Sequence, residues 1–140
     1  MEAKLKHLEF IQEVIKRMAS NSFLLRGWSI TLVIAISTIA SQTFKPSYVV
    51  IALLVTLIFW TLDSYYLWQE KRFRCLYEEV RKKDPSTIDF SMTLPDNHCK
   101  KCSWYSSVKS PIFISFYGVA ALVLLALLFI TYFNITITLK

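Results

Sequence analysis

The sequence predicts an all-α membrane protein: three transmembrane helices, an N-terminal amphipathic helix, and a cytoplasmic helical extension of the second span. Three observations carry this. Of the 140 residues 54% are hydrophobic and the mean hydropathy is +0.42, more than an ordinary soluble domain of this size needs to bury. Glycine is limited to Gly27 and Gly118, and the four prolines lie outside the apolar runs, which suits long uninterrupted helices rather than a β-barrel. The basic residues, finally, lie almost entirely on one side of the apolar runs.

In chain order, residues 3–23 read as a cytoplasmic amphipathic helix. Leu8, Ile11, Ile15, Met18, Ser22 and Leu25 recur at alternating spacings of three and four, the spacing of a helix-packing seam. The opposite face carries Glu2, Lys6, Glu9, Glu13, Lys16 and Arg17. There Glu2 with Lys6 and Glu13 with Arg17 place the acid four residues before the base, an orientation that supports a helix. The seam packs on the 69–81 helix of the same chain or between subunits. His7 lies beside it with no second ligand nearby and reads as a surface residue.

The first span, 24–41, opens with Arg26 and Trp28, residue types suited to the lipid interface. Thr31, Ala35, Thr38 and Gln42 form a stripe of small or polar residues along it, which either lets helices approach closely or lines a wet pore. A short turn holding Pro46 leads into the second span, 48–67, long enough to cross a hydrocarbon layer of roughly 30 Å. No Pro or Gly separates Tyr48 from Arg81, so the span is expected to continue as a cytoplasmic helix to residue 83. Asp63 lies near the cytoplasmic end of the span, where a carboxylate is costly unless paired or hydrated. Arg26, at similar depth on the neighbouring helix, is its natural partner, and the two make a candidate structural or gating pair. Asp84-Pro85 is expected to end the helix. A cytoplasmic loop, 84–111, then precedes the third span, 112–133, which is almost wholly apolar and expected to face lipid. The chain is read as one membrane domain, 1–140.

The charge distribution orients it. Net charge is +6; the basic residues gather before the first span and between the second and third, leaving Lys45 and Lys140 on the far side. By the positive-inside rule the N-terminus and residues 68–111 are cytoplasmic and the C-terminus is outside. The N-terminal mixture of acids and bases lacks the early apolar run and cleavage site of a secretory signal, so the first span is expected to be retained as an anchor. In a reducing cytoplasm Cys75, Cys99 and Cys102 are expected to remain thiols.

Chemistry-bearing residues are sparse. The sequence holds no Gly-rich phosphate loop, no paired His motif and no nucleophile with a base beside it, so no enzyme is expected. Cys99 and Cys102 form a single C-x2-C pair next to His98, short of the four ligands of a structural zinc site. No metal or cofactor is expected. Arg72, Arg74, Arg81, Lys82 and Lys83 make a basic face beyond the second span. Such a face meets anionic lipid headgroups or a phosphate-bearing ligand. Lys100, Lys101, Trp104, Tyr105 and Lys109 interleave cations with aromatic rings, chemistry that anchors a span at the interface or holds phosphates and stacks nucleobases.

Two stretches, HLEFIQEVIKRMASNSFLLRGW and FWTLDSYYLWQEKRFRCLYEEVR, resemble small bacterial membrane proteins of antiphage operons. These include SLATT-like effectors and the channel subunit of Hailong-type systems. The resemblance covers about the first 85 residues; the third span departs from the two-span SLATT pattern. It implies a homo-oligomeric effector of the bacterial inner membrane that depolarises it under control of a nucleotide or oligonucleotide made by a partner nucleotidyltransferase. On that basis the ligand would meet the basic and aromatic residues just named, and Thr31, Ala35, Thr38 and Gln42 would line the pore. A non-conducting scaffold or sensor that recruits a partner, and a holin-like lysis protein, are the alternative expectations.

Overall fold

The structure, a computed structural model, describes residues 2–43, 45–94 and 103–138, the side chains of residues 86, 135, 137 and 138 excepted. Helix α1 spans Glu2–Thr43 and α2 spans Pro46–Lys82; a single 3-10 turn follows at Pro85–Thr87, then a short α3, Trp104–Val108, and α4, Pro111–Thr138. Among the described residues there is no strand.

The two long helices form one antiparallel hairpin. Forty-two residues make α1, about 63 Å at 1.5 Å per residue, roughly twice the hydrocarbon thickness of a bilayer. The turn is tight because Lys45 is extended (φ −95°, ψ 116°) and Pro46 takes the first helical position, where the missing N–H costs no hydrogen bond. At the other end Lys83 leaves the helix at ψ 148° while its N–H still reaches the carbonyls of Glu79 and Val80. Lys4 Nζ then donates to the exposed carbonyls of Arg81 (3.0 Å) and Lys83 (2.6 Å). A cation from the start of α1 thus satisfies acceptors that the end of α2 leaves open.

Two apolar clusters hold the hairpin. Near the turn, Ala40, Val49, Ala52 and Leu124 are fully buried, packed by Val33, Ile36 and Leu128; the two alanines let the helices approach closely. Near the open end, Ile11, Leu76 and Val80 are buried under Leu8, Ile15, Phe73 and Tyr77. The seam read in residues 8–15 therefore packs within its own chain. Neither Glu2 with Lys6 nor Glu13 with Arg17 closes to an ion pair, so that segment is held by packing rather than by charge pairs.

The described parts of the 84–111 region are more than a loop. Besides the 3-10 turn and α3, residues 88–94 run as a strap along the open end, with Ile88 and Leu94 inserted into the lower cluster. Phe90 in this strap has φ 55°, a left-handed conformation that costs a residue with a Cβ about 1–2 kcal/mol. Helix α4 packs on α2 and extends past the expected end at residue 133.

Three helices, Glu2–Thr43, Pro46–Lys82 and Pro111–Asn134, are long and apolar enough to cross a membrane. Their apolar side chains point outward: Leu54, Ile58, Leu122 and Phe129 each expose more than half of their surface. In water such a surface would aggregate, whereas lipid matches it.

Candidate functional site

Between the two apolar clusters lies a polar knot contributed by one turn of each long helix. Ser22 and Arg26 are four residues apart on α1, and Phe113 and Tyr117 four apart on α4; Trp60, Asp63 and Ser64 share one face of α2, as these spacings require. At its centre Asp63 is completely buried. Its Oδ2 accepts from Arg26 Nε at 2.8 Å and from Tyr117 Oη at 3.2 Å, while Oδ1 accepts from Ser22 Oγ. Arg26 Nη2 also donates to Ser22 Oγ at 3.0 Å.

Aromatic rings close the knot. The Arg26 guanidinium lies 4.9 Å from the centre of the Phe113 ring, a cation–π contact. Tyr117 stacks almost parallel to Trp60 with centroids 6.2 Å apart, and Trp60 Nε1 donates to the Val108 carbonyl at 3.3 Å, drawing α3 onto α2. Ser64, also buried, donates to the Trp60 carbonyl at 2.7 Å. A buried carboxylate is tolerable only when its charge and lone pairs are answered. Here three donors from two other helices answer it. The Arg26 side chain remains 28% exposed, so the cation of the pair is the member that solvent or headgroups can reach.

The structure thus brings Arg26 and Asp63 together. Sequence reasoning missed Ser22 and Tyr117 as their partners. Ser22 was legible only as the polar member of an apolar seam. Tyr117 is a hydroxyl-bearing ring within an otherwise apolar run, and its partner on α2 depends on how α4 docks.

The stripe residues Thr31, Ala35, Thr38 and Gln42 are all exposed on α1. The hydroxyls of Thr31 and Thr38 donate back to the carbonyls of Gly27 (3.0 Å) and Ile34 (2.9 Å), which satisfies them locally. Thr38 also borders an open groove of about 850 Å³ between α1 and α4.

The basic and aromatic residues do not form one site. Arg72 donates to the Leu94 carbonyl at 3.0 Å and lies 4.7 Å from the Trp68 ring centre. Arg74 pairs with Glu70 at 2.7 Å, Arg81 with Glu78 at 2.8 Å and Lys83 with Glu79 at 2.8 Å; the Glu79 hydrogen bond raises the Lys83 pKa above its ordinary value. Lys82 is exposed. Trp104 and Tyr105 are exposed on α3, with Lys109 Nζ 4.4 Å from the Tyr105 ring centre. Because α3 meets α2 at Trp60, it lies about 18 Å from Arg72 and about 30 Å from Arg81 along the α2 axis. Lys100 and Lys101 lie outside the described residues.

Two expectations are corrected. His7 is not a surface residue: it is 5% exposed and packs edge-on against Phe90 at 5.6 Å, because the strap covers it. Cys75 is not a free thiol: it is disulfide-bonded, and the other two cysteines, Cys99 and Cys102, lie outside the described residues. The expectation rests on a reducing compartment alone. Among the described residues no group of three or more His, Cys, Asp or Glu could hold a metal ion.

Fold and site together define a class, an all-α membrane protein with three helices long and apolar enough to span. No family model, curated protein or solved structure matches the chain.

Proposed function

We propose that the protein is an oligomeric ion channel or membrane-disrupting effector of bacterial antiphage defence, gated by a nucleotide or oligonucleotide on its cytoplasmic side. In this reading it sits in the bacterial inner membrane with its N-terminus in the cytoplasm and its C-terminus outside. The first halves of α1 and of the strap, with the last turns of α2, form the cytoplasmic extension. Copies assemble through α1, and Thr31, Ala35, Thr38 and Gln42 face the symmetry axis.

The observation that carries the proposal is the unbroken α1–α2 hairpin, about twice as long as a bilayer is thick, with the Asp63 knot between its two apolar clusters. No proline interrupts either rod past its first turn, so a displacement at the open end reaches the spans as a rigid-body tilt. The knot is the natural pivot, since Asp63 joins all three helices. The ligand's phosphates would meet the distal cations, among which Arg81, Lys82 and Lys83 are exposed.

Single-channel recording on the full chain in planar bilayers tests this. Discrete conductance steps are expected, altered by an added oligonucleotide and by Thr38→Val. Silence with and without oligonucleotide would remove the channel reading.

A further inference from the structure

We infer that the open end of the hairpin holds a binding site for a small organic anion with a hydrophobic body, between α1 and the strap. A cavity of about 750 Å³ lies there, within the size range of small-molecule sites. Its floor is one stripe of α1 and its lid is Phe90 and Met92 from the strap. The inference does not depend on conduction or on a nucleotide signal.

The observation that points to a ligand is His7. It is 95% buried by the complement of its 5% exposure, lines the cavity, and its Nε2 has no hydrogen-bond partner among the described residues. A buried polar nitrogen left unanswered requires an explanation, and a bound polar group supplies one. Lys6 sits beside it on the same wall and makes no ion pair among the described residues. Imidazole and ammonium together favour an oxyanion at that end, through charge-assisted hydrogen bonds.

The rest of the wall sets the remainder of the ligand. Phe10, Phe90 and Met92 present two rings and a polarisable thioether, a surface for an apolar body. At the far end Glu13 and Arg17 line the same cavity; their opposite charges cancel in net, so the excess positive charge lies with Lys6 at the His7 end. Phe90 keeps its left-handed backbone, φ 55°, and this places its ring over His7.

Equilibrium dialysis tests the site. The full chain in nanodiscs of zwitterionic lipid is dialysed against decanoate, naphthoate and their methyl esters, with empty nanodiscs as the blank. Saturable uptake of at least one carboxylate, one per chain, is expected, with the ester about tenfold or more weaker. Lys6→Ala, on the rim, is expected to weaken uptake by about tenfold or more, and His7→Ala likewise. Phe90→Gly keeps the backbone conformation and removes the lid; it is expected to weaken binding too. Preference for naphthoate identifies an aryl ligand and preference for decanoate an alkyl one, either supporting the site. Uptake of both carboxylates no greater than the blank, or uptake unchanged by Lys6→Ala and Phe90→Gly, would overturn it.

Discussion

The hairpin is held by charge at one level and by hydrocarbon at another. Around Asp63 the three long helices share a carboxylate, a guanidinium and two hydroxyls. About 22 Å further along α1, Ile11, Leu76 and Val80 meet in a cluster of buried apolar side chains. The two levels restrain the chain differently. Hydrogen bonds weaken steeply as the donor angle departs from linearity, so three donors converging on one carboxylate restrain the rotation and register of all three helices. Apolar contact is non-directional and tolerates repacking, so the open end can adjust while the knot holds. The open end compensates with other ties, namely Lys4 on the last carbonyls of α2, the strap, and the disulfide at Cys75.

That contrast can be broken or sharpened by measurement. The largest effect is all-or-none. Thiol titration of the denatured, unreduced protein is expected to find one reactive thiol of the three cysteines, because Cys75 and its partner are consumed. Three reactive thiols would leave the open end without its covalent tie. Next, Asp63→Ala strands Arg26 beside Phe113 and is expected to lower the unfolding free energy in detergent by about 3–5 kcal/mol. A loss under about 1 kcal/mol would put the knot on a par with an exposed ion pair.

Ile11→Ala probes the other level and should cost about 2–5 kcal/mol. Because the two sites share no partner, its effect should add to that of Asp63→Ala within about 0.5 kcal/mol. A larger coupling would show that the levels act as one unit. Tyr117→Phe removes one hydrogen bond to the Asp63 carboxylate and keeps the ring on Trp60, so about 1.5–3 kcal/mol is expected. The smallest effect belongs to Lys83, whose pKa is raised chiefly by its hydrogen bond to Glu79. A raised folded pKa stabilises below the unfolded value and is lost as pH rises through the folded one. Glu79→Gln should therefore remove a small stabilisation that is present at neutral pH and lost above the folded pKa, and shift the Lys83 titration, followed by NMR, down toward the ordinary lysine range.

Much of the fold was legible because periodicity and breakers act locally. Pro46, the Asp84-Pro85 step and the glycine-poor runs set the helix ends within a few residues, and the seam at Leu8, Ile11 and Ile15 announced a packed face. The pairing of Arg26 with Asp63 was legible too, since a short turn forces residues equally far from it to the same depth. Sequence could not supply what depends on docking. Tyr117 reaches Asp63 only because α4 lies on α2, and His7 is buried only because the strap crosses it. The basic residues looked like one surface on paper. In space they divide between α3 and the distal turns of α2, with Glu70, Glu78 and Glu79 answering three of them.

What the amino-acid order settled by itself is the kind of object: apolar helices too long and too exposed for water, with the cations kept to one side. What only the tertiary arrangement decided is which polar groups meet. Hydrophobic periodicity is a property of one segment, whereas the surroundings of Asp63 and of His7 are made by residues 37 or more positions away in the chain, brought there by packing that no local pattern encodes.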